Sequence, residues 1–503
     1  MAMMTMAIVL AILADMVVAS THRELACQRK EHPIMTHREL KPFICTFTSS
    51  NSGNFSQLVM DLQNDHLIVG GRNFLFKLNV LNLSLVQAVE WPSAQYNSCH
   101  NRGKTQEECQ NYIRVLLPSN GKLFTCGTNA FAPACIIRSM QDISKELKHV
   151  SGVARCPYDP QHSSTALLTV RGEIYAATAM DFSGRDPAIY RSLGSLPPLR
   201  TAQYNSRWLH EPSFVSVYEM GSFVYVFLRE RPLQHECALS SISRVARICT
   251  NDVGGRFVLE ETWTTFMKAS LHCRLQTNSG LVTLAYPELQ ATYLLSERGL
   301  VYAVFSTSHA HGSVASALCV YNMSSVSAAF SGPFLQQENL HSAWSTRPNH
   351  TPNFQCGTLG KKEGVNANLT ERSLVEAQRL LLMRDAVRPV DGGPLLHQEN
   401  TRFTGIAVDE VIGQGPIHHV VFITTDSGSI LRVSTPAPLR PGSTCVVEEI
   451  HLSSPSLFEP VRSILLHPKQ GVLFLGLDSA VLRVQLHRCN FYHTLRCLFS
   501  SLY

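Results

Sequence analysis

A β-hairpin pattern recurs along the 503 residues of this chain. Each copy has a short apolar strand, a turn region with Gly, Thr or Asp, and a second strand that carries Arg or Lys among β-branched residues, which is typical of paired antiparallel strands. The copies begin at His66, Lys122, Glu173, Ser222, Leu300, His419 and Val472. Successive starts are 56, 51, 49, 78, 119 and 53 residues apart, so four of the six intervals lie near one value. A period of roughly 50 residues with paired strands indicates the blades of a β-propeller.

The fold class predicted from this repeat is all-β, with seven blades. A propeller needs a closing contact between its ends, because an open ring would leave an unpaired strand edge that invites aggregation. FSQLVMD (residues 55–61) near the N-terminus and VLRVQL (residues 481–486) near the C-terminus both have strand character. We expect these two segments to share the last blade.

The longest interval, between Leu300 and His419, leaves room for an insertion. It contains ERSLVEAQRLLLMRDA (residues 371–386), in which Leu374, Ala377 and Leu381 recur at helical spacing. We predict a helix there, within an insertion of about residues 320–390 that lies outside the ring. The alternative is a buried helix of a separate small domain, which the Gly and Pro content of the surrounding sequence disfavours.

The cysteine content bears on the cellular compartment. Fifteen cysteines, several only a few residues apart, are difficult to reconcile with a reducing cytosol, and the sequence contains no CxxC pair to support zinc binding. Five Asn-x-Ser/Thr sequons fit an oxidising secretory route. These sequons are at Asn54, Asn82, Asn322, Asn349 and Asn368. The chain is therefore predicted to be extracellular, with glycans at these positions.

The N-terminal residues 1–20, MAMMTMAIVLAILADMVVAS, have an apolar stretch and end in small residues. This pattern predicts a signal peptide cleaved near Ala19, and the alternative is an unprocessed leader. Residues 21–53 are assigned to an N-terminal leader segment. No later apolar run reaches the roughly 18 to 20 residues that span a bilayer, so we expect a secreted chain without a membrane span. The formal net charge of +5 is too small and dispersed to predict nucleic-acid binding.

Three longer segments are more specific than these general patterns. They are GRDPAIYRSLG (residues 184–194), RTAQYNSRWLHEPSFV (residues 200–215) and NDVGGRFVLEETWTTFMKA (residues 251–269), and they resemble the semaphorins of class 5. The resemblance implies a sema domain over residues 54–487, a seven-bladed propeller with a helical insertion in the fifth blade. It also implies an extracellular guidance ligand that binds plexin receptors to direct axon growth and cell migration, without catalytic residues, metal or cofactor.

The same resemblance implies partners and covalent links. A homodimer that brings two receptors together is expected, and full-length family members add a proteoglycan contact. The family disulfide pattern, carried onto this sequence, pairs Cys99 with Cys109, Cys126 with Cys135, Cys249 with Cys356, and Cys273 with Cys319. The pairing of seven others stays open: Cys27, Cys45, Cys156, Cys237, Cys445, Cys489 and Cys497. Residues 488–503 match only the start of a plexin-semaphorin-integrin module, so we expect a truncated isoform or an incomplete gene model.

Four residues are candidates for the dimer or receptor contact. Phe182 stands where related propellers bury an aromatic side chain in the homodimer contact, although a core phenylalanine of the third blade fits the composition equally well. Arg185, Asp186 and Arg207 lie in the adjacent loops, where charged groups steer a receptor. For Asp186, an internal Arg–Asp ion pair is the favoured alternative. Trp208 is predicted to be a core residue.

Two other function classes remain as alternatives. One is a receptor ectodomain, since plexins and scatter-factor receptors also use sema propellers. The other is a propeller hydrolase, for which residues 426–429, DSGS, resemble a fragment of a nucleophile turn. The G-x-S-x-G context is missing there, so a hairpin turn is the favoured interpretation.

Overall fold

The computed structural model describes residues 32–232, 240–276, 282–308, 314–338, 342–349, 371–412, 417–439, 442–453 and 459–486. Within these residues the chain folds into consecutive, mainly antiparallel sheets, named A to G in the order of their first strands. Sheet A contains Gln57–Asp61, His66–Gly70, Phe74–Asn79 and Leu85–Glu90. Sheet B contains Ile113–Ser119, Lys122–Gly127, Ala134–Ser139 and Glu146–Ser151. Sheet C contains Thr165–Leu168, Ile174–Ala179, Pro187–Ser192 and Leu199–Arg200.

The remaining sheets follow the same order, with additional strands at some outer edges. Sheet D contains Ser213–Met220, Phe223–Glu230, Ile242–Cys249 and Met267–Ser270, followed at its outer edge by Leu382–Met383, Phe334–Gln336 and Ser345–Arg347. Sheet E contains Glu288–Leu295, Leu300–Ser306, Ala315–Asn322 and Leu396–Glu399. Sheet F contains Phe403–Val411, His418–Thr425, Ser429–Pro436, Cys445–His451 and, at its edge, Ile34–Met35. Sheet G contains Ser463–His467, Val472–Gly476, Ala480–Gln485 and Ile44–Thr48.

The sheets are arranged in a closed ring. The first strand of each sheet contacts the first strand of the next, and the first strand of sheet G contacts that of sheet A. Each sheet therefore presents its first strand to the axis and its last strand to the outside, which is the arrangement of an all-β propeller. A short separate hairpin, Arg274–Gln276 with Val282–Ala285, lies in the connection between sheets D and E.

The core lies between neighbouring sheets. The strand Ile174–Ala179 is buried along its whole length, because the adjacent sheets cover both of its faces. Side chains of sheets C and D, among them Ile189 and Val226, form one such cluster around Trp208 and Trp263. Outer strands such as Glu146–Ser151 are largely exposed and polar.

The predicted hairpins are confirmed. All seven copies of the repeat form antiparallel pairs between the second and third strands of a sheet. Their alternation could be recognised because these strands carry the most apolar residues of each sheet.

The predicted closure of the ring is wrong. The strand Gln57–Asp61 pairs with His66–Gly70 of its own sheet, and Ile44–Thr48 is the strand that pairs with Ala480–Gln485. Residues 21–53, assigned above to a leader, thus contain the strand that closes sheet G. Ile44–Thr48 is half-exposed, as an outer strand is, and its short sequence ICTFT carries too few apolar residues to identify it.

The helix predicted for residues 371–386 is shorter than expected. It ends at Arg379, and Leu382–Met383 instead forms a strand that runs parallel to Met267–Ser270 of sheet D. Long-range pairing therefore overrides the helical spacing of the apolar residues in this segment. Leu374 and Ala377 belong to the core cluster of sheets C and D, so the helix has no separate core among the described residues.

Other helical segments are short. Among the described residues, the α-helices are His37–Leu40, Tyr96–Asn101, Met323–Ser331 and Glu371–Arg379, and 3-10 turns span Lys41–Phe43, Ser296–Arg298 and Pro468–Gln470. Two of the helices, with three short strands, lie between the third and fourth strands of sheet E in the chain. None of the helices in the described ranges combines the length and apolarity needed to cross a bilayer.

Candidate functional site

Two loops of sheet C form an exposed surface at one end of the ring. One loop joins Ile174–Ala179 to Pro187–Ser192, and the other connects Leu199–Arg200 to Ser213–Met220 of sheet D. Because successive strands run in opposite directions, both loops leave the sheet at the same end. The four candidate contact residues lie in these two loops: Phe182, Arg185, Asp186 and Arg207.

Asp181 organises the first loop. Its carboxylate accepts hydrogen bonds from the backbone N–H of Ser183 at 3.1 Å, from that of Asp186 at 2.8 Å, and from the Ser183 hydroxyl. Burial opposes ionisation of this carboxyl, but these bonds and one from the Arg185 backbone outweigh it and lower the pKa of Asp181. The loop is thus held by local hydrogen bonds, which leave the side chains of Phe182 and Arg185 free to face solvent.

Gly184 is required within this loop. Its backbone φ is +71°, and a Cβ atom built there would lie 2.3 Å from Cε1 of His162. Any other residue would therefore combine backbone strain with a clash against the imidazole ring. The close approach brings the first loop against the segment that contains His162 and Ser163.

An aromatic patch lies beside the first loop; it consists of Phe131 and Phe182, with Arg102 and Lys104 over the rings. The Phe182 side chain is 40% exposed, and its ring centroid lies 5.2 Å from that of the buried Phe131. Arg102 Cζ is 6.0 Å from the Phe182 centroid, and Lys104 Nζ is 4.4 Å from the Phe131 centroid. Both distances lie within the range of cation–π attraction. The alternative in which Phe182 is a core residue is therefore wrong.

The backbone that positions Phe131 is strained. Asn129, Ala130 and Phe131 have φ angles of 45°, 55° and 59°, in the left-handed region that non-glycine residues rarely adopt. Hydrogen bonds stabilise this conformation: the Asn129 N–H donates to Oδ1 of Asn111 at 2.9 Å, and its side-chain amide donates to the Ala132 carbonyl at 2.8 Å. Strained backbone of this kind clusters at functional sites. Phe131 is therefore a candidate member of this site.

The cationic side of the patch is fixed by a disulfide. Cys99 and Cys109 are bonded, with Cα atoms 5.8 Å apart, and the loop between them carries Arg102 and Lys104. Both cysteines pack against Phe131 in one small cluster. The disulfide therefore holds the two cations near the rings.

A cleft of about 650 Å³ opens next to the patch, between the two loops. Leu209 and Phe214 give it an apolar floor, while Arg185 and His210 contribute polar groups. Tyr204, 69% exposed with a φ of 48°, stands at its edge. A concave surface with an exposed aromatic and a few polar groups is typical of a recognition site.

The other two candidates in these loops are less exposed than Phe182 and Arg185. Asp186 is buried, and its Oδ1 lies 2.5 Å from a guanidinium nitrogen of Arg200, which confirms the internal ion pair. Arg207 is half-buried, and its backbone N–H donates to Oδ1 of Asn205 at 3.1 Å. Trp208 is buried as predicted and stacks on Phe266 at a centroid distance of 4.9 Å. Of the four candidates, the structure brings Phe182 and Arg185 to the exposed surface.

The structure contains three of the four disulfides that the resemblance implies. They are Cys99–Cys109, Cys126–Cys135 and Cys273–Cys319. Cys249 is also disulfide-bonded, while Cys356 lies outside the described residues. Of the cysteines left open, Cys445 is disulfide-bonded, and Cys45 and Cys156 are free thiols.

The five sequons differ in their surroundings. Asn82 is exposed and Asn349 is half-buried. The Asn54 amide donates to Oδ1 of Asp478 at 3.2 Å, and Asn322 caps the helix Met323–Ser331 by accepting from the Ser324 N–H at 2.8 Å. Asn368 lies outside the described residues, as does the predicted signal peptide. Glycosylation at all five positions stays a prediction.

The segment that resembles a nucleophile turn is a hairpin turn. Residues 426–428 join His418–Thr425 to Ser429–Pro436, and Gly428 has a φ of +72°. The Ser429 and Ser427 hydroxyls both lie 2.8 Å from Oγ1 of Thr425. Both serine hydroxyls are therefore engaged in hydrogen bonds within the turn. Across the described ranges, no group of three His, Cys, Asp or Glu side chains is placed to hold a metal ion.

Sequence reasoning missed Phe131 and Tyr204 as members of this surface. Phe131 lies between the paired Cys126 and Cys135, in the segment FTCGTNAF. The asparagine before Ala130 was the one local signal of an unusual backbone, since asparagine tolerates positive φ. Nothing in the sequence distinguishes the exposed Tyr204 from the buried Trp208 four residues later.

The comparisons with known proteins agree with this fold. A family model described as "Sema domain" matches residues 289–468. Semaphorin-5A of Rattus norvegicus is 51% identical over 470 residues, which is 93% of this chain and 43% of that protein. Semaphorin-5B of Mus musculus is 50% identical over 482 residues, which is 95% of this chain and 44% of that protein. The chain thus spans less than half the length of these relatives.

Among solved structures, the complex of Drosophila Plexin A with Semaphorin 1b contains a similar chain. The two share 30% identity and a TM-score of 0.76, over 89% of this chain and 88% of that chain. Three findings agree: the propeller ring, the match to the Sema domain model, and the identity of about 50% to these relatives over nearly the whole chain. With a sema domain of class 5, this chain belongs to the semaphorin family.

Proposed function

We propose that this chain is an extracellular signalling ligand, not an enzyme, that binds a plexin receptor and directs axon growth and cell migration. The observation that carries this proposal is the exposure of Phe182 and Tyr204 beside cationic side chains at one end of the ring. Aromatic and Arg side chains are the usual anchors of protein interfaces. The similarity to Semaphorin 1b, which was solved in complex with Plexin A, supports the choice of receptor.

The two parts of the surface have separate roles in this proposal. The aromatic patch forms the homodimer contact, because a twofold interface needs a self-complementary apolar centre and Phe182 supplies one. The cleft beside Tyr204 and Arg185 receives the receptor. Arg102 and Arg185 form no ion pair with a described carboxylate, so each remains available to an acidic partner surface.

The proposed architecture is a seven-bladed ring with a helical insertion in the fifth blade. It is supported by sheets A to G, each with at least four strands, and by helix Glu371–Arg379, which lies between the third and fourth strands of sheet E in the chain. Secretion after removal of residues 1–20 is proposed from the leader sequence and is supported by the disulfides. A proteoglycan contact is proposed only for the full-length relatives, as the resemblance implies.

A binding measurement tests the receptor proposal. The chain, expressed with its leader and purified from culture medium, is passed over immobilised plexin ectodomain, and the Tyr204→Ala/Arg185→Ala double variant is compared with the parent. We expect saturable binding by the parent and a loss of at least about tenfold in the variant, since two interface anchors are removed.

The matched control is Phe257→Ala. Phe257 is 91% exposed, in the loop that joins the third and fourth strands of sheet D, so it lies at the opposite end of the ring. This variant should bind like the parent. Absence of parent binding at micromolar concentration would overturn the receptor proposal, and an equal loss in the control variant would overturn the assignment to the cleft.

A further inference from the structure

The outer edge of sheet A is apolar and lacks charge along most of its length. Its last strand, Leu85–Glu90, pairs with Phe74–Asn79 on one side, and no other described strand pairs with its second side. Residues 78–89 contain no Asp, Glu, Lys, Arg or His. An open apolar edge of this kind favours pairing with a strand of another chain.

Three exposed apolar side chains lie at the start of this edge, and we call them the edge patch. They are Leu81, Leu85 and Val86, which are 63%, 54% and 51% exposed. The pairing with Phe74–Asn79 shifts its register at Val86, so Leu85 and Val86 do not alternate between an inner and an outer face. Single exposed apolar residues are ordinary on a protein surface, whereas three within six residues form a cluster.

Other outer strands of the described chain are protected in ways that this one is not. The outer strand of sheet B carries the exposed charges of Glu146 and Lys148. That of sheet C, Leu199–Arg200, is two residues long, and that of sheet F is covered by Ile34–Met35. Charges, a short length and a covering segment are the usual protections of a sheet edge. Leu85–Glu90 has none of the three along residues 85–89.

Asn82 lies within the edge patch, in a turn that leaves its side chain exposed, and begins the sequon Asn82-Leu83-Ser84. Its Oδ1 accepts a hydrogen bond from the Ser84 N–H at 2.9 Å, and the Asn79 N–H donates to the Ser84 carbonyl at 2.9 Å. Leu83 is 2% exposed and anchors the turn in the core. The turn is therefore fixed, while the Asn82 amide nitrogen has no hydrogen-bond partner among the described residues.

The other sequons in the described ranges are less accessible. Asn54, Asn322 and Asn349 are half-buried, whereas Asn82 is exposed. An attached oligosaccharide replaces a hydrogen of the amide nitrogen, so Asn54 would lose the bond that its amide donates to Asp478. Asn82 loses no such bond, and it is the sequon that lies beside an apolar edge.

We propose that Asn82 carries an N-linked oligosaccharide that covers the edge patch and prevents association through the open edge of sheet A. The Asn82 amide nitrogen forms a bond to the anomeric carbon of a lipid-pyrophosphate-linked oligosaccharide and loses one proton, and the lipid pyrophosphate leaves with the electron pair of the broken C–O bond. The attached group is bulky and hydrophilic, so it excludes a second strand where charged residues are absent. The proposal rests on the secretion proposed above, and it is independent of the receptor and dimer contacts.

The first test is the occupancy of Asn82. The full chain is expressed with its leader in a secretory cell line and recovered from the medium, or from the cells if none is released. Mass spectrometry of the peptide that contains Asn82 should show a glycan mass, and Ser84→Thr, which keeps the sequon, should show it as well. Chain in the medium with an unmodified Asn82 would overturn the proposal and leave secretion intact, whereas a modified chain retained in the cells would count against secretion alone.

The second test removes the glycan. Ser84→Ala destroys the sequon but keeps the backbone N–H that donates to Asn82, so the turn is preserved. In sedimentation velocity we expect the Ser84→Ala chain to self-associate at least about tenfold more tightly than the Ser84→Thr chain, because its edge is uncovered. Enzymatic trimming of the glycan to its first sugar on the folded parent should have the same effect without any substitution. Unchanged association after both treatments would show that the glycan does not cover the edge.

A further substitution locates the association. Val86→Lys, added to Ser84→Ala, places a charge in the edge patch and should reduce association to the level of Ser84→Thr. Val170→Lys, added to Ser84→Ala, is the matched control, since Val170 is 91% exposed in a turn of sheet C and should leave association unchanged. The same effect from both substitutions would place the contact elsewhere. Weaker association of the glycosylated parent on Val86→Lys alone would assign the edge to a second copy of this chain, which also contradicts the covering role.

Discussion

The ring of Phe182 lies 5.2 Å from the ring of Phe131, at an angle of 47° between their planes. Phe131 is buried and its backbone is strained, whereas Phe182 is 40% exposed. The exposed ring of Phe182 therefore packs against the buried ring of Phe131. A rigidly supported aromatic loses little conformational entropy on binding. This relationship is the reason to place the dimer contact at Phe182.

We therefore expect Phe182→Asp to abolish self-association. A charge in the centre of a twofold interface meets its own copy, so repulsion and desolvation both oppose the dimer. The cost to folding should be only about 1 kcal/mol, because an aromatic pair contributes roughly that amount. Sedimentation velocity measures the oligomer, and a thermal melt of the same sample checks that the monomer is folded. A parent that is monomeric at all concentrations, or a dimeric variant, would contradict the assignment.

Asp186→Asn should be strongly destabilising. The substitution leaves Arg200, whose side chain is 20% exposed, without the carboxylate that lies 2.5 Å away. Removing one partner of a largely buried pair costs about 3 kcal/mol in the free energy of unfolding. Glu338→Gln is the matched control, since its pair with Arg347 at 2.9 Å is more than half exposed on both sides and should contribute less than about 1 kcal/mol. Denaturant titration of both variants measures the difference, and similar costs would count against this explanation.

Two of the disulfides close loops of very different length, so they should contribute differently to the free energy of unfolding. Cys273–Cys319 closes 46 residues and Cys99–Cys109 closes 10. In the chain-entropy model, replacing both cysteines of each pair by Ala costs about 4 kcal/mol for the longer loop and about 3 kcal/mol for the shorter one. Differential scanning calorimetry of the two double variants tests this order. The Cys99–Cys109 variant should also lose binding that depends on the aromatic patch, because Arg102 and Lys104 are no longer held over the rings.

The sequence predicted the inner part of each sheet far better than its outer strands. Second and third strands such as Ile174–Ala179 are covered on both faces and must be apolar, so their pattern is strong. The outer strand Ile44–Thr48 is half-exposed and gains its stability from a partner at the other end of the chain. No local sequence pattern indicates a pairing between segments so far apart in the chain, so the more apolar Gln57–Asp61 resembles the closing strand more than Ile44–Thr48 does.

The candidate site was predicted only in part for a related reason. The family resemblance located the loop of Phe182, but exposure depends on what packs against a side chain, and that is decided by the fold. Tyr204 and Trp208 lie in one loop with similar composition, yet Tyr204 is exposed and Trp208 is buried against Phe266. Similarly, the charge of Asp186 predicts an ion pair, but the choice of Arg200 as its partner depends on the fold.

The stability of the protein should decrease as the pH falls from about 6.5 to about 4, partly because of His272. Burial and the neighbouring arginines lower the pKa of His272 from 6.5 to about 4 in the folded chain. Between these values the unfolded chain binds more protons, so the folded state loses stability as the solution becomes more acidic. The stabilisation is fully present above pH 6.5 and is lost by about pH 4.

Replacing His272 by Asn removes this titration. The slope of the unfolding free energy against pH should become shallower by at most about 1.4 kcal/mol per pH unit within that window, and should be unchanged above it. The measurement is a series of denaturant titrations from pH 4 to pH 8. His149→Asn, which removes an imidazole from an exposed strand position, is the control for a general histidine effect. A slope in the His272→Asn variant equal to that of the parent would show that the imidazole is not held neutral by burial and the neighbouring arginines.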